Sequence, residues 1–127
     1  MTPREQKQRI RDAVRRRLAP LDQASLEERS IRVAALVCNH AAFLSASSIG
    51  GYLPIGREVR TFPILRRAEA EGKSVWAPRF DPDAGAYRFA RWHRACVLRK
   101  GPGGVPEPAR TDVFPEGAPD LILVPGV

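Results

Sequence analysis

Seven cationic side chains are concentrated in the first 17 residues of the chain, together with only two acidic ones, Glu5 and Asp12. The cations are Arg4, Lys7, Arg9, Arg11, Arg15, Arg16 and Arg17. A compact cluster of positive charge attracts polyphosphates and other polyanions, so one interpretation is an anion-binding segment. A solvated helix surface explains the same charges equally well. Nucleic acid is a weaker alternative, because neither a recognition motif nor interleaved aromatic residues accompany the charges.

Other reactive side chains do not form a recognisable catalytic or metal-binding pattern. Cys38, Cys96, His40 and His93 lack the spacing of a zinc site or of a nucleophile and its base. The glycine-rich stretch 101–104 is not followed by the helix that a phosphate-cradling loop opens. From these patterns we assign no catalytic residue and predict no metal ligand.

Composition predicts a single globular domain over residues 1–127. Lys and Arg number 21 against 14 Asp and Glu, which gives a formal charge of +7, and 43% of the residues are hydrophobic. That proportion exceeds what disordered chains contain. No apolar run approaches the ~20 residues that span a bilayer, and no secretory signal follows the N-terminal charges. We therefore expect no membrane association and a cytoplasmic location.

Three helices are predicted from apolar periodicity and from residues that start or stop helices. The first carries Ile10, Val14 and Leu18 on one face, and Pro20 ends it. The second is expected to begin at Ser25, because Glu28 follows at the spacing of a capping box. The third begins after Thr61, with Pro63 in its first turn, and Gly72 closes it.

Short apolar segments predict strands at 48–53, 74–78, 87–92 and 120–127. The first two strands flank the third helix, and a strand–helix–strand unit of this length requires a parallel pair. Residues 100–119 hold five prolines and four glycines, so we expect a long loop there. The predicted fold class is α/β.

Six segments, taken in order, resemble the 5-formyltetrahydrofolate cyclo-ligase family, whose members are also called 5,10-methenyltetrahydrofolate synthetases. The segments are residues 7–11, 49–54, 58–61, 72–78, 105–108 and 120–127. The resemblance implies a three-layer α/β/α domain with a mostly parallel sheet, and we expect a monomer. It also implies ATP-dependent conversion of 5-formyltetrahydrofolate to 5,10-methenyltetrahydrofolate, with Mg²⁺, through phosphorylation of the formyl oxygen.

The resemblance also implies which residues bind the two substrates. Lys7, Gln8, Arg9, Ile10 and Arg11 match the family's ATP-binding segment. Lys7 and Arg11 stand four residues apart, so both can reach one polyphosphate, whereas Ile10 is expected to pack inward.

Leu53 and Glu58 match the folate-binding positions. A carboxylate such as that of Glu58 is suited to accept hydrogen bonds from the N–H groups of the pterin.

The family's pattern continues, after a Pro-Gly pair, with a Phe-Asp turn and a glycine-rich segment that completes its phosphate site. The printed sequence contains neither, so we expect a cyclo-ligase-like domain that lacks its C-terminal segment and question whether it turns over substrate. The alternative is a non-catalytic folate- or nucleotide-binding remnant, which would bind ligand without ATP-dependent turnover.

Overall fold

The computed structural model describes residues 1–115 and 117–126, which form four α-helices and six β-strands. The helices are α1 Pro3–Leu18, α2 Gln23–Cys38, α3 Ala41–Ser45 and α4 Phe62–Ala70. The strands are β1 Ser48–Gly51, β2 Ser74–Asp81, β3 Ala86–Trp92, β4 Leu98–Lys100, β5 Pro106–Pro108 and β6 Leu121–Leu123. None of the helices in the described part is long and apolar enough to cross a membrane.

The main sheet has the strand order β3-β2-β1-β6. Ile49 of β1 stands in parallel register with Val75 of β2 on one side and with Leu121 of β6 on the other. β3 returns antiparallel to β2 through a tight turn. The predicted α/β class and mostly parallel sheet are therefore confirmed, and α4 is the crossover between β1 and β2.

One face of the sheet and the helices enclose the hydrophobic core. Ile49 and Val75 are almost completely buried beneath α4, which contributes Leu65. Gly51 is required here, because a Cβ at this position would lie 2.8 Å from Leu65 Cδ2. The core comprises Ala34, Phe43, Ala46, Ile49, Leu53, Ile64, Leu65, Ala68, Val75, Ala77 and Trp92.

The opposite face of the sheet is covered by extended chain from the region before β6. Phe114 packs edge-on against Trp76, with ring centroids 5.0 Å apart. A Cβ at Gly50 would lie 2.8 Å from the ring of Phe89 and 3.2 Å from Pro119, so the chain crosses very close to the sheet. Side chains of alternating strand positions thus pack on two different layers.

A clasp at the start of the two strands positions β6 beside β1. The Asp120 carboxylate accepts hydrogen bonds from the amides of Ser47, at 2.8 Å, and Ser48, at 3.3 Å. In return the Asp120 amide donates to the Ser48 hydroxyl at 2.8 Å. Because both strands run in the same direction from this clasp, the chain segments that follow them leave the sheet side by side.

The start of the second helix was predicted wrongly. α2 begins at Gln23, and its N-cap is Asp22, whose carboxylate accepts from the Ser25 amide at 2.8 Å. Ser25 therefore lies inside the first turn, and Glu28 pairs with Arg32 at 2.9 Å. Two residues suited to capping stood three positions apart, and the carboxylate nearer the N-terminus starts the helix.

The prediction of a long loop over 100–119 was also partly wrong. β4 and β5 form an antiparallel pair, with Lys100 opposite Pro106 and Leu98 opposite Pro108. Proline is tolerated at the edge of a sheet, where its missing N–H is not needed. β6 is shorter than the predicted strand 120–127, and Val127 lies outside the described residues.

Candidate functional site

Two adjoining cavities lie beside the loop that follows β1, and one of them extends to Gly126 after β6. One has a volume of about 480 Å³ and reaches along α2, and the other, of about 370 Å³, reaches the end of α1 and Gly126. Leu18, Arg57 and Glu58 line both, and we call the pair the strand-end cleft. Ligands of α/β proteins commonly bind outside the carboxyl ends of parallel strands, so this is the candidate site.

A tight turn in the loop after β1 presents Glu58 to the strand-end cleft. The Glu58 amide donates to the Ile55 carbonyl at 3.1 Å, and Gly56 inside the turn has a φ of 54°. A side chain at that φ would be strained, which explains the glycine. The Glu58 carboxylate accepts from the Ile55 amide at 2.8 Å and closes the turn a second time.

Buried polar groups brace the rest of this loop. The Tyr52 hydroxyl donates to the Val59 carbonyl at 2.8 Å, and the Thr61 hydroxyl donates to the Tyr52 carbonyl at 2.7 Å. Burial, reinforced by the negative charge of Glu58, raises the pKa of Tyr52 above its usual range, although the charge of Arg60 opposes the shift. The hydroxyl therefore stays protonated as a donor at neutral pH, and the two hydrogen bonds brace the loop.

The charge lining the strand-end cleft is predominantly positive. The positive charges are those of Arg29 and Arg32 from α2, Arg15 from α1 and Arg57 from the loop. Among the lining residues of the described chain, Glu58 alone carries a carboxylate. Arg32 forms an exposed ion pair with Glu28, which partly neutralises its charge. This arrangement suits an anionic ligand that also offers N–H groups to a single carboxylate.

Arg57 is a residue of this site that the sequence did not suggest. Its guanidinium donates to the carbonyls of Leu18, at 3.0 Å, and Leu21, at 2.6 Å, and so joins the loop to the end of α1. The partners are 39 and 36 residues away in sequence, and no local pattern signals such a contact.

The predicted ATP-binding residues Lys7, Gln8, Arg9, Ile10 and Arg11 all lie exposed on α1, which buries none of its 16 residues. The expectation that Ile10 packs inward is wrong, since its side chain is 58% exposed. The periodicity identified the apolar stripe of the helix, but no described residue covers it at Ile10.

Lys7 and Arg11 make no side-chain hydrogen bond or ion pair within residues 1–115 and 117–126, whereas Gln8 donates to Asp12 at 2.9 Å. The helix face that bears Lys7 and Arg11 continues to Arg15, which lines the strand-end cleft. Arg11 precedes Arg15 by about 6 Å of helix, because each residue rises about 1.5 Å.

Leu53 and Glu58 lie in one loop but point to different places. Leu53 is 3% exposed and belongs to the core beneath the loop. Of these two predicted folate-binding residues, Glu58 therefore reaches the cleft with its side chain, and Leu53 supports the loop from below.

The described residues do not fit a protein-held metal site. Within that part of the chain no three His, Cys, Asp or Glu side chains are grouped so that they could hold an ion. Mg²⁺ in nucleotide sites is often bound through phosphates with one or two carboxylates, and such a site needs no dedicated cage.

Parallel strands followed by a basic cleft are typical of α/β proteins that bind small anionic molecules. The model of the 5-formyltetrahydrofolate cyclo-ligase family matches residues 3–127, and the chain belongs to that family.

Among solved structures, the chain is similar to the NMR structure of Aquifex aeolicus 5,10-methenyltetrahydrofolate synthetase, with a TM-score of 0.75 and 22% identity. The match covers 93% of this chain and 59% of that one, so this chain spans about three fifths of the length of that protein. At this identity the likeness shows the fold. No curated protein matches the sequence.

Proposed function

We propose that this chain binds 5-formyltetrahydrofolate and ATP and acts in their conversion to 5,10-methenyltetrahydrofolate, ADP and phosphate. Membership of the cyclo-ligase family supports the proposal. The structural observation that carries it is the position of Glu58, a carboxylate set among arginines in the strand-end cleft.

The proposed reaction has two steps. The formyl oxygen of the folate attacks the γ-phosphorus of ATP, and the bond to ADP breaks. N10 of the folate then attacks the activated carbon, N10 loses its proton, and phosphate leaves with the former formyl oxygen. Both steps depend mainly on aligning the substrates and stabilising phosphoryl charge, for which the protein needs fixed cations.

The proposed ATP-binding residues are Lys7, Gln8, Arg9, Ile10 and Arg11 on α1. Lys7 and Arg11 share a helix face and have side chains available to the phosphates, and Arg15 extends that face into the strand-end cleft. Positive charge along one face would place a polyphosphate beside the loop that carries Glu58. Mg²⁺ would enter with the phosphates of ATP and neutralise part of their charge.

The proposed folate-binding residues are Glu58 and Leu53. One oxygen of Glu58 holds the turn through Ile55, and its other oxygen, Oε2, is without a hydrogen-bond partner among the described residues. That oxygen is suited to accept from the pterin's N–H groups. Leu53 would act through the loop that it anchors in the core, since its own side chain is buried.

The proposal is tested by incubating the 127-residue chain with 5-formyltetrahydrofolate, ATP and Mg²⁺. We expect the absorbance of the methenyl product to rise with equal amounts of ADP and phosphate. 5-Methyltetrahydrofolate is the matched control, because it has no formyl oxygen to phosphorylate. Binding of both substrates without turnover would favour the non-catalytic binding alternative, and failure to bind either would refute the proposal.

A further inference from the structure

Arg57 joins two parts of the candidate site that are far apart in sequence. Its Nη1 donates to the carbonyl of Leu18, the last residue of α1, and to the carbonyl of Leu21 in the short connection to α2. Carbonyl groups at the C-terminus of a helix lack intrahelical partners and carry partial negative charge, so a guanidinium is well suited to bind them. Arg57 itself is part of the turn that positions Glu58.

Little else in the described structure fixes the direction of α1. None of its residues is buried, and Leu18 and Leu21 are only half-buried. The hydrogen bonds from Arg57 to Leu18 and to the following connection therefore help to hold the helix that carries Lys7 and Arg11. Displacing Arg57 would release the end of α1 and the Glu58 turn from one another.

We propose that Arg57 is a positioning residue that couples the nucleotide-binding helix to the folate-binding loop, an inference that rests on the proposed function. A ligand bound to Glu58 would further restrain the turn and Arg57, and through Arg57 the end of α1. If this restraint favours ATP binding, thermodynamic linkage requires that ATP and 5-formyltetrahydrofolate strengthen the binding of one another by the same factor. This role needs no contact between Arg57 and either substrate, although Arg57 also lines the strand-end cleft.

The contact itself is tested without ligand, by amide hydrogen exchange in the last turn of α1. Arg57→Ala should speed exchange there by about tenfold or more, because hydrogen bonds to a charged group are lost. Arg29→Ala is the matched control, since it removes a charge from the same cleft but Arg29 makes no hydrogen bond or ion pair with α1 among the described residues. If Arg57→Ala fails to fold, Arg57→Lys replaces it, because lysine keeps the charge but lacks the planar fork. Unchanged exchange would overturn the proposal.

The coupling is tested by measuring the affinity for a non-hydrolysable ATP analogue with and without 5-formyltetrahydrofolate. We expect the folate to tighten nucleotide binding by about fivefold or more in the parent chain. In Arg57→Ala we expect the folate to leave the nucleotide affinity unchanged. Arg66→Ala, which removes an exposed arginine of α4, should retain the coupling. Faster exchange with undiminished coupling would refute the positioning role. If the parent chain binds neither ligand, the proposed function and the coupling fail together, while the exchange result still decides whether Arg57 holds α1.

Discussion

The carboxylate of Glu58 accepts a hydrogen bond at 2.8 Å from the backbone amide of Ile55, three residues earlier in the chain. The reverse bond, from the Glu58 amide to the Ile55 carbonyl, closes the same turn at 3.1 Å. One carboxylate oxygen thus fixes the turn, and the other faces no hydrogen-bond partner in the described chain. The group is positioned before any ligand arrives, which reduces the entropy that binding must overcome.

Replacing Glu58 with glutamine should weaken binding of 5-formyltetrahydrofolate by about tenfold or more, because a charged acceptor is lost. The amide oxygen of Glu58→Gln can still accept from Ile55, so the thermal stability should change little. Titration calorimetry with the folate and with ATP measures the two affinities. Glu27→Gln on the exposed surface of α2 is the control. Equal folate affinity in Glu58→Gln and the parent chain would exclude the proposed contact.

Lys7→Ala and Arg11→Ala should each weaken ATP binding by about tenfold while affinity for the folate stays the same. Both residues are exposed, so the substitutions should leave the melting temperature unchanged. Arg16→Ala is a charge-matched control, because nine residues at about 100° each place Arg16 on the opposite side of α1 from Lys7. A similar loss in all three variants would mean that the nucleotide senses only the net charge of the helix.

Gly50→Ala should destabilise the fold by about 1–3 kcal/mol, the usual cost of an added methyl group in a tightly packed site. The new Cβ would lie 2.8 Å from the ring of Phe89 and 3.2 Å from Pro119. Urea denaturation measures the change in the free energy of unfolding. Gly126→Ala is the control, because its Cβ would meet no atom within 4 Å. A Gly50→Ala protein as stable as the parent would show that the layer over β1 yields easily.

Asp22→Ala should lower the melting temperature at pH 7 by a few degrees, because α2 loses its N-cap. Hydrogen bonds from the backbone and side chain of Ser25 hold the pKa of the Asp22 carboxyl below its ordinary value of 3.8. The contribution of Asp22 is therefore complete above that value and is lost as the pH falls through the lower pKa of the folded protein.

Melting curves of the parent chain and of Asp22→Ala should consequently converge at acidic pH. Asp83→Ala provides the control, because the carboxylate of Asp83 accepts no hydrogen bond within the described residues. A difference in melting temperature between the parent and Asp22→Ala that is independent of pH would contradict the capping role.

Local patterns predicted the unit formed by β1, α4 and β2 because its signals are all close in sequence. Thr61 and Gly72 bound α4 as expected, with Gly72 at a φ of 82°. At α2, however, Asp22 and Ser25 competed for one capping role, and spacing alone did not decide between them. Residues 106–108 form a strand despite two prolines, because the β4 partner does not need their N–H groups.

The candidate site was less predictable than the fold. Glu58 was singled out through the family resemblance and lines the strand-end cleft, and its role in binding folate stays a prediction. The periodicity of α1 indicated an apolar stripe but could not show that Ile10 is left exposed. The contact of Arg57 with Leu18 and Leu21 depends on how two distant segments meet, which no local pattern contains.

The clasp between Asp120 and Ser48 joins residues that are 72 positions apart, whereas the turn between β2 and β3 joins near neighbours. Contacts between distant residues must overcome the entropy of closing a long loop, so they form later than local ones. We therefore expect the β2–β3 hairpin and the β1–α4–β2 unit to assemble first and β6 to dock onto them afterwards. Because Gly126 follows β6 and lines the strand-end cleft together with Glu58, we expect this cleft to be among the last parts of the molecule to be completed during folding.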